Sequence, residues 1–373
     1  MISDKSLILP VAYPPITTYS AFAATLSILY SHEESYDWVF SHYLQIYAVS
    51  KTDLSEPFPP GGGPYKVVFF GDMDNRRLTY SNCEFMFFSK ESCQYLDLFE
   101  VPCDLFNSYN ESFVSFIKRS IDMNMYLYLY VDQSKISAFK RTNGYVHPLF
   151  IFGYDDCSAT VHVADFVGGK FTYFKASYIE IENAYQSGLN IPNYVNHLPK
   201  DSESIALIRY TNYAPFVFDY SYIQDTICEY IYPDKSKVEK FNNYIMSRHS
   251  FRNQDLKTYM GVDVYQYISD LIELQLNAGA ESINHRIYHA MYDHKEMMLK
   301  RFEYFLQRGY IDGEKLSFIN EYKKVRDIAL VIRNLILKLN ITQDRKVVER
   351  IVSQVRRIRE LETVLLKQIF NIS

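Results

Sequence analysis

The chain has no excess of basic charge, no CxxC pair and no apolar run long enough to cross a membrane. Lys and Arg number 39 against 44 Asp and Glu, a formal net charge of −5, so the electrostatic footprint of nucleic-acid binding is missing. The five cysteines, Cys83, Cys93, Cys103, Cys157 and Cys228, are odd in number and lack paired spacing. That argues against a disulfide framework or a zinc ribbon and for a reducing compartment. No stretch reaches the roughly 18 apolar residues of a membrane span, and the opening "MISDKSLILPVAYPP" meets proline too early for a signal peptide. These absences predict a soluble, cytoplasmic protein with neither nucleic acid nor a membrane among its partners. The glycine-rich "PFPPGGGPY" at 57–65 lacks the Gly-Lys-Ser/Thr of a phosphate loop and reads as a flexible connector.

What is abundant is tyrosine (34) and phenylalanine (26), against a single tryptophan, a bias that suits an aromatic-packed β-rich core in part of the chain. At 373 residues there is room for two domains, and the texture changes near residue 215. Before it, short apolar runs alternate with Gly, Pro and Asp turns: "KVVFF", "MYLYLYV", "LFIFGY", "TVHVADF", "KFTYF" and "SIALIRYT". Two stretches with apolar residues at i, i+3, i+4 and i+7, 18–32 and 111–123, interrupt them as helices. After 215 the spacing is helical almost throughout. The sequence therefore predicts an α+β domain over 1–214 with an antiparallel sheet, followed by an all-α helical bundle over 215–373.

Within "GYVHPLFIFGYDD", His147 opens an apolar strand, and Asp165 ends the next one, "TVHVADF". A hairpin turning at "DDCS" would set the two side by side, as base and orienter of a nucleophile-activating site. The plainer alternative is a pre-proline histidine at a strand edge and a turn-forming aspartate. Asp72 and Asp74 in "FFGDMDN" read as a turn, because Arg76 follows Asn75 where phosphoryl-transfer chemistry wants a small hydroxyl. His285 and His289, with His294 nearby, have the i, i+4 spacing of a metal pair, yet Arg286 stands where a metalloprotease needs its glutamate, and a satisfied helix face is expected. Cys157, in the turn, lacks the electropositive neighbour of a reactive thiol. The long stripes of the last helix fit core packing or a homodimer seam through the C-terminal helices better than a membrane surface.

The order of these elements resembles the papain-like arrangement of double-glycine-leader cysteine peptidases. It resembles more closely the N-terminal domain of the butirosin biosynthesis protein H family. The stretches that carry the resemblance are "MYLYLYVDQSKI", "HPLFIFGYDD", "VHVADF" and "ASYIEIENAY", then "YMGVDVYQYI" and "NHRIYHAMYDHKEMMLKRFEYF". The resemblance implies a papain-like α+β fold and acyl or aminoacyl transfer, or cyclisation, in nonribosomal-peptide or polyketide-type biosynthesis. It implies no bound cofactor, a phosphopantetheine thioester on an acyl or peptidyl carrier protein as donor, and an amine or other small molecule as acceptor. The family's nucleophile is a cysteine in the first turn of the early helix, and on "TTYSAFAATLSIL" that place falls to Ser20. The resemblance thus assigns Ser20, His147 and Asp165 as nucleophile, general base and orienter. Three readings of Ser20 stay open: a working serine triad, a lost chemistry that leaves a scaffold binding a carrier protein or peptide, and a serine standing in for a native cysteine. Hydrolysis would use the same constellation as transfer.

Overall fold

A computed structural model of the chain describes residues 5–51, 67–70, 93–109, 111–189, 204–234, 256–277, 283, 285–344 and 346–373. In chain order the strands are β1 (Ser6–Ile8), β2 (Gln45–Lys51), β3 (Val67–Phe70), β4 (Leu96–Pro102), β5 (Met125–Asp132), β6 (Val146–Asp155), β7 (Thr160–Val167), β8 (Lys170–Ser177), β9 (Ser204–Tyr210) and β10 (Leu256–Met260). The α-helices are α1 (Ser20–Leu29), α2 (Tyr36–Ser41), α3 (Cys103–Ser108), α4 (Phe113–Asp122), α5 (Tyr178–Leu189), α6 (Tyr220–Ile231), α7 (Val264–Asn277), α8 (Arg286–Arg308), α9 (Leu316–Thr342) and α10 (Lys346–Phe370). They form two compact units, Met1–Tyr36 with Arg77–Phe216, and Asp37–Arg76 with Val217–Ser373.

The first unit is built on a seven-stranded sheet ordered β4-β9-β5-β6-β7-β8, with β1 added against β6, and every ladder in it is antiparallel. The alternation in "MYLYLYVD" explains why β5 lies at its centre. Tyr126 and Tyr128 point to one face and Leu127 and Leu129 to the other, and all four are buried, so both faces are covered. Helix α1 is rich in alanine and buried along its whole length. It packs on the tyrosine face, where Ser27 Oγ meets the Tyr173 hydroxyl at 2.8 Å. Helix α4, capped by Ser112, lies on the other side, where the Tyr154 hydroxyl donates to Asp122 at 2.7 Å. Its first two amides donate to the Glu182 carboxylate of α5, each at 3.2 Å, which places negative charge at the positive end of a helix. A bulge between Ile151 and Gly153 ends the β5 pairing and begins that with β1. A side chain at Gly153 would sit 2.7 Å from the Leu7 carbonyl oxygen.

The second unit is mostly helical but not all-α. Its three-stranded antiparallel sheet, β10-β2-β3, takes in "VVFF", which the sequence reading had placed in the first sheet, and "LKTYM", which it had placed among helices. Strand pairing between Leu256–Met260 and Tyr47–Lys51 spans some two hundred residues, and local periodicity carries no trace of such a partner. The unit therefore draws on residues around α2, β2 and β3 as well as those after Phe216, where the sequence reading had a single break at 214/215. Arg301 is fully buried, and its guanidinium donates to the carbonyls of Phe40, at 2.6 Å, and of His42. It thereby satisfies acceptors that the end of α2 leaves open. Gly261 has φ +51°, and a Cβ there would fall 2.1 Å from the Tyr230 carbonyl oxygen, so only glycine permits this approach to α6. Among the described residues no helix is long and apolar enough to cross a membrane.

Candidate functional site

The β6–β7 hairpin turns at Asp155, whose carboxylate accepts from the Cys157 and Ser158 amides at 3.0 and 3.3 Å. Its register, Phe150 opposite Ala164, brings Asp165 diagonally beside His147 on the same face. The two side chains join, with His147 Nδ1 2.8 Å from Asp165 Oδ2. Asp165 is fully buried, while 24% of the His147 side chain is exposed. A carboxylate only accepts, so the neutral imidazole carries its proton on Nδ1 and its basic lone pair on Nε2.

The connection from β5 to β6 tightens this pair. The Gln133 amide donates to the same Asp165 oxygen from Nε2 at 2.5 Å, and its Oε1 accepts from Arg141 Nε at 3.0 Å. The Arg141 guanidinium lies 3.8 Å from the centroid of Tyr145, whose ring stacks on His147 at 5.8 Å. Two backbone amides hold the loop closed: Gln133 N donates to the Tyr145 carbonyl at 2.9 Å, and Tyr145 N to the Asp132 side chain at Oδ1, 3.0 Å away. Bonds from the Tyr145 amide, Ser187 and Ser134 outweigh desolvation and hold the Asp132 carboxyl below its usual pKa.

Ser20 is the first residue of α1, after Tyr19 at the N-cap, and is 8% exposed. Its hydroxyl is hydrogen-bonded to that of Tyr128 at 2.9 Å, not to the imidazole. The structure thus brings His147 and Asp165 together and leaves Ser20 on a phenol of the neighbouring strand. Tyr128 and Gln133 fall inside a stretch that the sequence reading quoted without giving either a role. The signal available was a glutamine directly after a mostly buried strand, where a polar side chain needs a partner.

The other sequence candidates resolve differently. Asp72, Asp74, Cys83 and the 57–65 stretch lie outside the described residues. His294 is fully buried and is bonded through Nε2 to the Leu44 carbonyl at 2.7 Å and through Nδ1 to Lys295 at 2.9 Å. His289 faces Asp293 at 3.7 Å and Arg333 at 3.4 Å, and burial with the Arg333 charge pushes its pKa down to about 4. Among the described residues no three His, Cys, Asp or Glu side chains are grouped to hold a metal ion. Cys157 is exposed in the hairpin turn, with its amide bonded to Asp155. Comparison with protein-family models and with curated proteins yields no match to the chain.

Proposed function

We propose that the first unit transfers or cyclises an acyl or aminoacyl group delivered as a carrier-protein thioester, on a papain-like scaffold. The observation that carries this reading is the bond from His147 Nδ1 to the buried Asp165 carboxylate, which makes Nε2 a fixed base at a half-exposed position. On this reading His147 takes the proton of the Ser20 hydroxyl as Oγ attacks the thioester carbonyl and returns it to the departing thiolate. The step requires Ser20 to leave the Tyr128 face of the sheet, where it is bonded in this structure, for the face that carries His147. An acceptor amine then attacks the Ser20 ester, and the serine recovers its proton. The first amides of α1, which an α-helix leaves without intrahelical acceptors, supply donors for the developing oxyanion. The donor is a phosphopantetheine thioester, with no resident cofactor and no role for nucleic acid or membrane.

A second reading, a scaffold that binds a carrier protein or peptide without chemistry, is favoured by the bond from Ser20 to Tyr128. Across the β5–β6 ladder, Tyr128 lies opposite Phe150 and Val131 opposite His147, so the phenol and the imidazole leave the sheet from opposite faces. Ser20 must exchange the phenol for the imidazole before it can react. Incubation with an acyl-pantetheine thioester, followed by intact mass and peptide mapping, separates the two readings. Transfer gives an adduct on Ser20 that His147→Ala abolishes and Ser20→Cys accelerates. A scaffold gives no adduct in either the serine or the cysteine form.

A further inference from the structure

His147 Nδ1 meets two acceptors, the Pro148 carbonyl at 3.2 Å and Asp165 Oδ2 at 2.8 Å, and the polarity of the side-chain bonds behind Asp165 is dictated from one end. Arg141 can only donate, so the amide oxygen of Gln133 must face it, and the Gln133 nitrogen must then face Asp165. Asp165 meets that nitrogen and His147 Nδ1 on the single oxygen Oδ2, while its other oxygen, Oδ1, is buried without a hydrogen-bond partner among the described residues. The carboxylate is therefore oriented from one side only. Tyr145, between the guanidinium and the imidazole, closes a loop of five side chains, Arg141, Gln133, Asp165, His147 and Tyr145.

We propose that Arg141 and Gln133 are positioning residues that fix which nitrogen of His147 is basic. Neither touches the reacting atoms. Arg141 selects the orientation of the Gln133 amide, that amide holds Asp165 Oδ2 where only an Nδ1–H can meet it, and Nε2 is left as the base. With the guanidinium gone, the amide is able to turn its oxygen toward the carboxylate. The two acceptors then repel, Asp165 rotates, and of the two Nδ1 acceptors only the longer one, the Pro148 carbonyl, remains, so the tautomer bias of the imidazole weakens. The importance of this device rests on the acyl-transfer reading, but its existence does not.

The test is a long-range ¹H–¹⁵N spectrum of the ¹⁵N-histidine-labelled full chain above pH 8, with the His147 signals assigned by their loss in His147→Ala. The wild type is expected to show one dominant neutral tautomer, protonated on Nδ1. Arg141→Ala changes an exposed side chain, and Gln133→Leu keeps the volume while removing both polar ends. Each is expected to raise the Nε2-protonated form of His147 several-fold, with the signals of His162, on β7 of the same unit, unchanged as proof that this unit stays folded. If both variants keep the wild-type His147 tautomer, the proposal is overturned. The same result follows if the wild type already shows a tautomer mixture. Because the readout is independent of turnover, a chain that is never acylated yet shows these shifts fails the acyl-transfer reading alone.

Discussion

Two acid–base pairs among the described residues, Lys295–Glu362 and His147–Asp165, each have a fully buried carboxylate, and they are finished differently. In the second unit Lys295 and Glu362 meet at 2.8 Å with side-chain exposures of 1% and 0%. Tyr230 adds a hydrogen bond at 3.0 Å, Tyr265 and Tyr322 donate to the same carboxylate, and His294 accepts from the ammonium at 2.9 Å. Four side chains from α6 to α9 close round the Glu362 carboxylate of α10, and His294 backs the ammonium. In the first unit Asp165 is equally buried, but its partner His147 is partly open to solvent and one carboxylate oxygen has no hydrogen bond among the described residues. A closed polar cluster specifies packing, whereas on the proposed reading the oriented pair with the partly exposed imidazole is the one arranged for chemistry.

Glu362→Gln should have the largest effect. It leaves the Lys295 ammonium buried without a counter-charge and sets an NH2 among phenols that donate, so about 3–5 kcal/mol of stability should be lost. Urea unfolding of the full chain measures it, and a loss below about 1 kcal/mol would mean that the cluster is not a closed unit.

Asp165→Asn should scarcely change the urea midpoint by comparison but, if the acyl-transfer proposal holds, should slow Ser20 acylation by as much as about 10⁴-fold, because the amide favours the wrong imidazole tautomer. A variant acylated at the wild-type rate removes Asp165 from the mechanism.

Acid should strain the closed cluster through His294. Burial, reinforced by the Lys295 charge, holds its pKa well below 6.5, whereas the unfolded chain's imidazole protonates near 6.5. Unfolding then takes up a proton below that pH, so stability falls as pH falls, by up to about 1.4 kcal/mol per pH unit from this group. Unfolding midpoints between pH 7.5 and 5 for the wild type and His294→Gln isolate the effect, and parallel curves would contradict it.

Tyr128→Phe should cost only about 1 kcal/mol while raising the acylation rate of Ser20, whose hydroxyl it releases. Slower acylation would show that the phenol assists the serine. The smallest effect belongs to the exposed Lys324–Glu321 pair on α9, whose removal should change stability by less than about 0.5 kcal/mol.

The sequence made the open pair legible and the closed one invisible. His147 and Asp165 sit on consecutive strands joined by a short turn, so alternation and turn chemistry suffice to bring them together. Helix α1 was likewise visible in its spacing. Glu362, Lys295 and Tyr230 lie on separate helices, each within an ordinary amphipathic pattern, and only tertiary packing makes neighbours of them. The same holds for β2 and β10, and for the bond from Ser20 to Tyr128, which join residues far apart in the chain.

The contrast between an open and a closed pair is tested most directly by treating the folded chain with diethyl pyrocarbonate near pH 7 and mapping modified histidines by mass spectrometry. His147 should be modified in the native protein, at Nε2, while His294 stays intact until denaturant is added. If His147 proves as protected as His294, its imidazole is a packed core group, and the account of it as a base toward substrate is wrong.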